Sequence, residues 1–139
     1  KAEVINEGKD IVLIGIGKMV SRAVEVAREL KNDGLNPTII NARFLKPFDE
    51  ETVLKYLYEA KTVVTIEDGT VIGGLASKVE ELIYRNRLNV DLEKIAYPDE
   101  FVKHGSVDEI EKKYGLDVGS IVECLRKQEK NIRIMNTSC

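Results

Sequence analysis

Short apolar runs alternate along the chain with longer segments in which apolar residues recur every three or four positions. Runs rich in Val, Ile and Leu predict buried strands, whereas the three-to-four spacing predicts helices with one buried face. The predicted strands are residues 11–14, 37–40, 62–66 and 92–96. The predicted helices bury positions within 19–30, 53–57, 72–83 and 118–125, and a further short helix begins near residue 106.

Capping residues predict where several of these helices begin and end. Gly34 follows the first helix and suits its C-terminal stop, and Asp49 is placed to cap the second. Ser106 and Glu109 have the spacing of a capping box, in which each side chain accepts an otherwise unpaired backbone N–H. Asp117 is placed to cap the last helix. The capping residues therefore support the predicted helices independently of the spacing of apolar residues.

Strands that alternate with single helices predict parallel β-α-β units, and hence an α/β fold with a three-layer α/β/α sandwich. The chain contains no internal repeat and no linker-like stretch, so residues 1–127 are interpreted as one domain. Residues 128–139 match no predicted element and are expected to form a loose C-terminal tail.

Composition narrows the class of protein. The 139 residues carry a net charge of −3 with 32% charged residues, so no basic surface field is expected and nucleic acid is not a predicted partner. No apolar run approaches the roughly 20 residues that cross a bilayer, and the N-terminus lacks a signal-peptide core. Cys124 and Cys139 are the only cysteines and are expected to be reduced thiols. We therefore expect a cytoplasmic protein without a membrane partner.

Gly15 and Gly17 stand between a strand and a helix, where a dinucleotide-binding fold holds a pyrophosphate. That fingerprint needs a third glycine, but Val20 occupies the position, and the Walker A pattern is also absent. A tight strand-to-helix turn is the favoured interpretation. A free-standing module that binds an anionic ligand at this turn is the alternative from another functional class.

Glu67, Asp68 and Gly69 follow the third long strand, and Gly73 and Gly74 open the next helix. Two carboxylates at a strand end could perform acid–base chemistry. The favoured interpretation is structural: Glu67 accepts backbone N–H groups of the loop, Asp68 is solvated, and the glycines permit close approach of another backbone. Glu67, Gly69, Gly73 and Gly74 are thus candidates for a packing contact, within the domain or between subunits.

The other chemically interesting side chains do not assemble into an active site. His104 is the only histidine and has no recognisable partner in the sequence, so we expect a structural or exposed role. Arg43 and Lys46 are expected to be solvated charges near a strand end. We assign no catalytic, cofactor-binding or metal-binding residue in this chain.

Three segments together, residues 8–17, 41–49 and 64–74, resemble the transketolase C-terminal domain family, and the resemblance covers roughly residues 8–127. Residues 98–106, which read PDEFVKHGS, are most similar to the 1-deoxy-D-xylulose-5-phosphate synthase branch of that family. The C-terminal domain of a transketolase, or of the β subunit of a 2-oxoacid dehydrogenase, is the alternative within the family.

The resemblance implies a five-stranded, mostly parallel mixed sheet whose one antiparallel strand is supplied by residues 3–5. It implies a third domain of a thiamine-diphosphate enzyme, which condenses pyruvate with D-glyceraldehyde 3-phosphate to 1-deoxy-D-xylulose 5-phosphate and CO₂ for isoprenoid biosynthesis. Thiamine diphosphate and Mg²⁺ would bind in two preceding catalytic domains, and this fragment would bind neither of them. The isolated fragment is expected to be inactive, and to support a homodimer through Glu67, Gly69, Gly73 and Gly74.

Overall fold

The structure, a computed structural model, describes residues 1–68, 74–97 and 116–131, with side chains as far as Lys127. Its strands are β1 (Glu3–Asn6), β2 (Asp10–Gly15), β3 (Thr38–Asn41), β4 (Ala60–Asp68) and β5 (Asp91–Tyr97). Its helices are α1 (Val20–Asn32), α2 (Glu50–Leu57), α3 (Gly74–Arg85) and α4 (Val118–Asn131), and a 3-10 turn (Gly17–Met19) precedes α1. The predicted strands, and the predicted helices that fall in these ranges, are confirmed.

The strands form one sheet in the order β1-β3-β2-β4-β5. Strands β2, β3, β4 and β5 pair in parallel, and β1 pairs antiparallel with β3. This confirms the mixed five-stranded sheet, including its antiparallel strand at the N-terminus. The central strands are nearly all apolar because parallel sheets are covered by helices on both faces.

A separate hydrophobic core lies on each face of the sheet. On one face α1 and α4 contribute Ala23, Val26, Ala27, Leu30, Ile121, Val122 and Leu125. On the other face α2 and α3 contribute Val53, Leu57, Leu75, Val79 and Leu82. The three-layer α/β/α sandwich is thereby confirmed, and each helix buries the side that its periodicity predicts.

The C-terminal end of α1 shows how a local signal determines a boundary. Gly34 has φ of +81°, a left-handed conformation that glycine adopts without a steric penalty. The N–H of Leu35 donates to the carbonyl of Leu30 at 3.1 Å, and the N–H of Gly34 donates to that of Lys31 at 3.0 Å. These are the two hydrogen bonds of a Schellman motif, and they end the helix where the sequence predicts.

The C-terminal region departs from expectation in two respects. Helix α4 continues to Asn131, so four residues of the predicted tail, 128–131, are helical. Cys124 is disulfide-bonded, which makes the expectation of a reduced thiol wrong, and its partner lies outside the described residues. Ser106, Glu109 and His104 also lie outside the described residues, and the domain boundary at residue 127 stays a prediction.

Asp49 caps α2 as predicted and also holds the start of the chain. One carboxylate oxygen accepts the Thr52 N–H at 3.1 Å; the other accepts the Thr52 hydroxyl at 2.7 Å and the Ala2 N–H at 2.9 Å. The hydrogen bond from the Thr52 hydroxyl is the largest influence on the Asp49 pKa, and the Ala2 N–H reinforces it. Although partial burial acts in the opposite direction, the pKa lies below its ordinary value of 3.8.

Replacing Asp49 with Ala is expected to lower the free energy of unfolding at neutral pH by about 0.5–2 kcal/mol, because α2 loses its cap. A depressed pKa in the folded state means that the charge stabilises the fold above pH 3.8, and that this contribution disappears as pH falls further. Urea titrations at pH 7 and in acid should therefore show the wild type and Asp49→Ala converging in acid. Glu51→Ala, an exposed change on the same turn, is the control; an unchanged gap between Asp49→Ala and wild type at both pH values would contradict the prediction.

Candidate functional site

The segments that the sequence marks as candidates meet at one edge of the sheet. Strands β2, β3 and β4 are parallel, so the residues that follow each of them lie at a common carboxyl-end edge. The backbone joins two of these segments directly, because the Ala42 N–H donates to the Gly15 carbonyl at 2.9 Å. The glycine turn, the loop after β3 and the Glu67 side chain are therefore neighbours along this edge.

The glycine turn after β2 has a structural reason for each glycine. Gly17 has φ of +61°, and a Cβ on Gly15 would lie 2.9 Å from the Cα of Val20. Real Cβ atoms essentially never make such a contact, so a side chain at position 15 would displace the start of α1. These two constraints account for the Gly-x-Gly pattern without a ligand and support the tight-turn interpretation.

Glu67 is almost completely buried, with 1% of its surface exposed. One oxygen of its carboxylate accepts the N–H of Leu75 at 3.2 Å, and the other accepts the N–H of Ala76 at 3.1 Å. A helix presents unpaired N–H groups and a partial positive charge at its N-terminus, and the carboxylate satisfies both. Glu67 therefore holds the first turn of α3 against the end of β4.

Asp68, the neighbouring carboxylate, does not join Glu67 in a common site. Only 9% of Asp68 is exposed, so the expectation that it is solvated is wrong. Successive side chains of a strand point to opposite faces of the sheet. Glu67 faces α3, whereas Val64 and Ile66, which alternate with Glu67 along β4, pack into the core formed by α1 and α4. The two carboxylates are thus separated by the sheet, an arrangement that does not favour acid–base catalysis by the pair.

The remaining candidates are only partly described. Gly74 is half-buried and is the first residue of α3, whereas Gly69 and Gly73 lie outside the described residues. Their assignment to a subunit contact stays a prediction. Arg43 and Lys46 are exposed, as expected, and the Arg43 guanidinium lies 3.8 Å from the Glu3 carboxylate.

A cavity of about 330 Å³ lies at the opposite edge, where β2, β3 and β4 begin. Its polar lining includes Glu7, Lys9, Asp10, Lys55, Tyr56 and Glu59. The Tyr56 hydroxyl donates to Glu7, and this hydrogen bond, with a smaller contribution from burial, raises the pKa of Tyr56 above its usual value. The sequence does not mark this cavity, because its lining comes from separate segments whose proximity depends on the fold.

The part of the chain that the structure describes contains neither a metal-binding cluster nor a membrane-spanning helix. Within residues 1–68, 74–97 and 116–131, no three His, Cys, Asp or Glu side chains are grouped as a metal site would require. Among the helices in those ranges, none has the length and apolar character needed to cross a membrane.

Comparison with known sequences gives consistent results. Residues 1–121 match the family model described as "Transketolase, C-terminal domain". The chain is 38% identical over 133 residues to a protein of Caldanaerobacter subterraneus subsp. tengcongensis named 1-deoxy-D-xylulose-5-phosphate synthase. It is 37% identical over 131 residues to a protein of the same name from Desulforudis audaxviator. These matches cover 96% and 94% of this chain but only 21% of each relative, so the chain spans about a fifth of their length.

Solved structures agree on the fold. A chain described as "Split gene transketolase, inactive beta4 tetramer" superposes with a TM-score of 0.72 at 30% identity, over 91% of this chain and 40% of that one. A transketolase from Pichia stipitis superposes with a TM-score of 0.53 at 16% identity, over 91% of this chain and 17% of that one, and supports the fold alone.

Proposed function

This chain belongs to the transketolase C-terminal domain family, and we propose that it is the third domain of a 1-deoxy-D-xylulose-5-phosphate synthase. The observation that carries the proposal is 38% identity to a synthase over 96% of this chain, combined with coverage of only 21% of that relative. The whole enzyme would condense pyruvate with D-glyceraldehyde 3-phosphate, and would act in the cytoplasm in isoprenoid biosynthesis.

The cofactor of that reaction would be thiamine diphosphate with Mg²⁺, which supplies a stabilised carbanion when it is bound. The described residues of this chain do not fit such a group. The Gly15 and Gly17 turn after β2 is explained by backbone packing, since a Cβ on Gly15 would lie 2.9 Å from the Cα of Val20, and both oxygens of Glu67 accept N–H groups of α3. We therefore place the cofactor in the preceding domains and give this domain a role in assembly.

Calorimetry and an activity assay test whether the cofactor binds outside this domain. The isolated 139-residue chain is expected to unfold cooperatively but to bind no thiamine diphosphate in the presence of MgCl₂. The full-length polypeptide is expected to bind the cofactor and to form 1-deoxy-D-xylulose 5-phosphate. Micromolar binding of the cofactor to the isolated chain would contradict the assembly role, and a full-length protein without synthase activity would contradict the proposed reaction.

A transketolase-type subunit is the second candidate, because the split-gene transketolase matches 91% of this chain at 30% identity. The same assay separates the two enzymes: a synthase releases CO₂ from pyruvate, whereas a transketolase moves a two-carbon ketol unit between sugar phosphates without releasing CO₂. Failure of the first reaction together with success of the second would favour the transketolase.

Within the assembly role, we propose that the start of α3 lies at a homodimer contact that includes Glu67, Gly69, Gly73 and Gly74. Glu67 would contribute indirectly, by fixing the position of the first turn of α3, because its own side chain is buried. Gly74 would act directly, since a glycine allows a neighbouring backbone to approach more closely than a Cβ permits.

Gly74→Val is expected to weaken self-association of the full-length enzyme more than it lowers the unfolding temperature. Gly74→Ala, which adds a single methyl group, is the graded control. Sedimentation equilibrium and thermal unfolding on the same samples measure the two effects. A large loss of unfolding temperature with unchanged association would assign Gly74 to the interior of the domain and contradict the contact.

A further inference from the structure

One large apolar side chain is exposed to solvent in a loop whose other apolar residues are buried or half-buried. Phe44, in the loop between β3 and α2, is 57% exposed. The apolar residues around it in sequence point inward: Ala42 is buried, and Leu45 and Phe48 pack against the core formed by α2 and α3. The outward position of Phe44 is therefore not caused by a general lack of packing in this loop.

The backbone before Phe44 adopts an unfavourable conformation that local hydrogen bonds maintain. Arg43 has φ of +64°, which costs a residue with a long side chain about 1–2 kcal/mol. The Arg43 N–H donates to the Asn41 side-chain oxygen at 3.0 Å, and the Phe44 N–H donates to the Ala42 carbonyl at 2.7 Å. Strained backbone that is held in this way is typical of functional positions.

This loop lies against the first residues of the chain. The Ala2 N–H donates to Asp49 at 2.9 Å, and the Glu3 carboxylate lies 3.8 Å from the Arg43 guanidinium and 3.5 Å from the Asn41 amide. We call the surface formed by residues 1–3 and 41–49 the N-terminal corner. Any polypeptide joined to the N-terminus of this domain leaves from that corner.

Positive charge predominates around the exposed ring. Lys1, Arg43 and Lys46 are exposed on the N-terminal corner, where Glu3 is the exposed anion. Glu50, which follows the corner, is paired with Arg85 at 2.9 Å. An exposed aromatic ring on a corner that has more exposed cations than exposed anions is complementary to an apolar pocket with an acidic rim.

We propose that the N-terminal corner is the docking surface for the preceding domain of the same enzyme, with the Phe44 ring inserted into that domain. This inference rests on the proposed function, in which this chain follows larger catalytic domains. A domain tethered at residue 1 is present at high effective concentration beside Phe44, so even a small apolar contact is populated. The relatives support such a neighbour, because this chain covers 21% of their length.

Photo-cross-linking in the full-length enzyme tests the docking surface. Phe44→p-benzoylphenylalanine should cross-link to the preceding domain, and mass spectrometry identifies the attached peptide. Tyr84→p-benzoylphenylalanine is the matched control, because Tyr84 is 85% exposed and lies on α3. Cross-links from position 44 to a second copy of this domain, or a yield no greater than that from position 84, would overturn the proposal.

A second variant measures the strength of the contact. Phe44→Ser should lower the unfolding temperature of this domain in the full-length enzyme by about 4 °C or more. In the 139-residue chain, Phe44→Ser should change the unfolding temperature by no more than about 1 °C, because the ring is exposed there. Equal shifts in both proteins would also overturn the docking surface.

Synthase activity, measured on the same preparations, separates the two proposals. An active synthase whose position 44 does not cross-link to the preceding domain would refute the docking surface alone. Cross-linking to the preceding domain in an enzyme without synthase activity would refute the proposed reaction alone.

Discussion

Replacing Glu67 with Ala is expected to lower the free energy of unfolding by about 2–5 kcal/mol, because the N–H groups of Leu75 and Ala76 lose their acceptors. The site is buried, so water does not readily replace the carboxylate, and each unsatisfied donor costs about 1–3 kcal/mol. The negative charge also favours the N-terminus of α3. The loss should therefore exceed that of an ordinary exposed helix cap.

Two comparisons make this prediction specific. Glu67→Gln retains one acceptor oxygen and should lose less stability than Glu67→Ala, whereas Glu81→Ala, an exposed change on the same helix, should alter it by no more than about 0.5 kcal/mol. Urea unfolding gives the free energies, and hydrogen exchange reports on the Leu75 and Ala76 amides. If those amides remain equally protected in Glu67→Ala, the carboxylate does not hold α3.

Replacing Tyr97 with Ala is expected to cost about 3–5 kcal/mol, as is usual for removing a fully buried aromatic side chain. Tyr97 has no exposed surface and packs in the core between α1 and α4. Its hydroxyl donates to the Leu116 carbonyl, and the Arg22 guanidinium lies 5.3 Å from the centre of its ring. This side chain thus joins β5 both to α1 and to the segment that enters α4.

Tyr97→Phe separates packing from hydrogen bonding, because it removes the hydroxyl and keeps the ring. It should cost about 1–3 kcal/mol, since the Leu116 carbonyl loses its donor. Tyr84→Ala, at an exposed position, is the control and should change the free energy of unfolding by less than about 0.5 kcal/mol. Urea titrations of the 139-residue chain measure all three variants; equal losses for Tyr97→Ala and Tyr84→Ala would show that Tyr97 is not part of the core.

Local patterns predict much of the fold, because the forces behind them act between residues close in sequence. Strand β2 was predicted at 11–14 and spans Asp10–Gly15, and Gly34 and Asp49 end α1 and begin α2 as expected. Residues 128–131 have no apolar periodicity, so the pattern does not predict them as helical. Helix α4 nevertheless continues through them, because they contain no helix-breaking residue.

The candidate site was predictable only in part. The sequence places Glu67 and Asp68 together at a strand end, and it suggests that Glu67 accepts backbone N–H groups. It does not show that those groups belong to α3, or that Asp68 is buried on the other face of the sheet. Both facts depend on strand pairing and helix packing, which a window of sequence does not contain.

By itself, the sequence determined most of the elements, their order and the presence of the glycine turn, because periodicity, capping and backbone freedom are encoded over a few neighbouring residues. The family followed from the resemblance of three segments to known motifs. The tertiary structure alone decided which distant groups meet. Ala2 reaches Asp49 across 47 positions, and Tyr97 reaches Leu116 across 19. The N-terminal corner and the anchoring of α4 result from such contacts, which form only when the sheet brings separate strands and loops side by side.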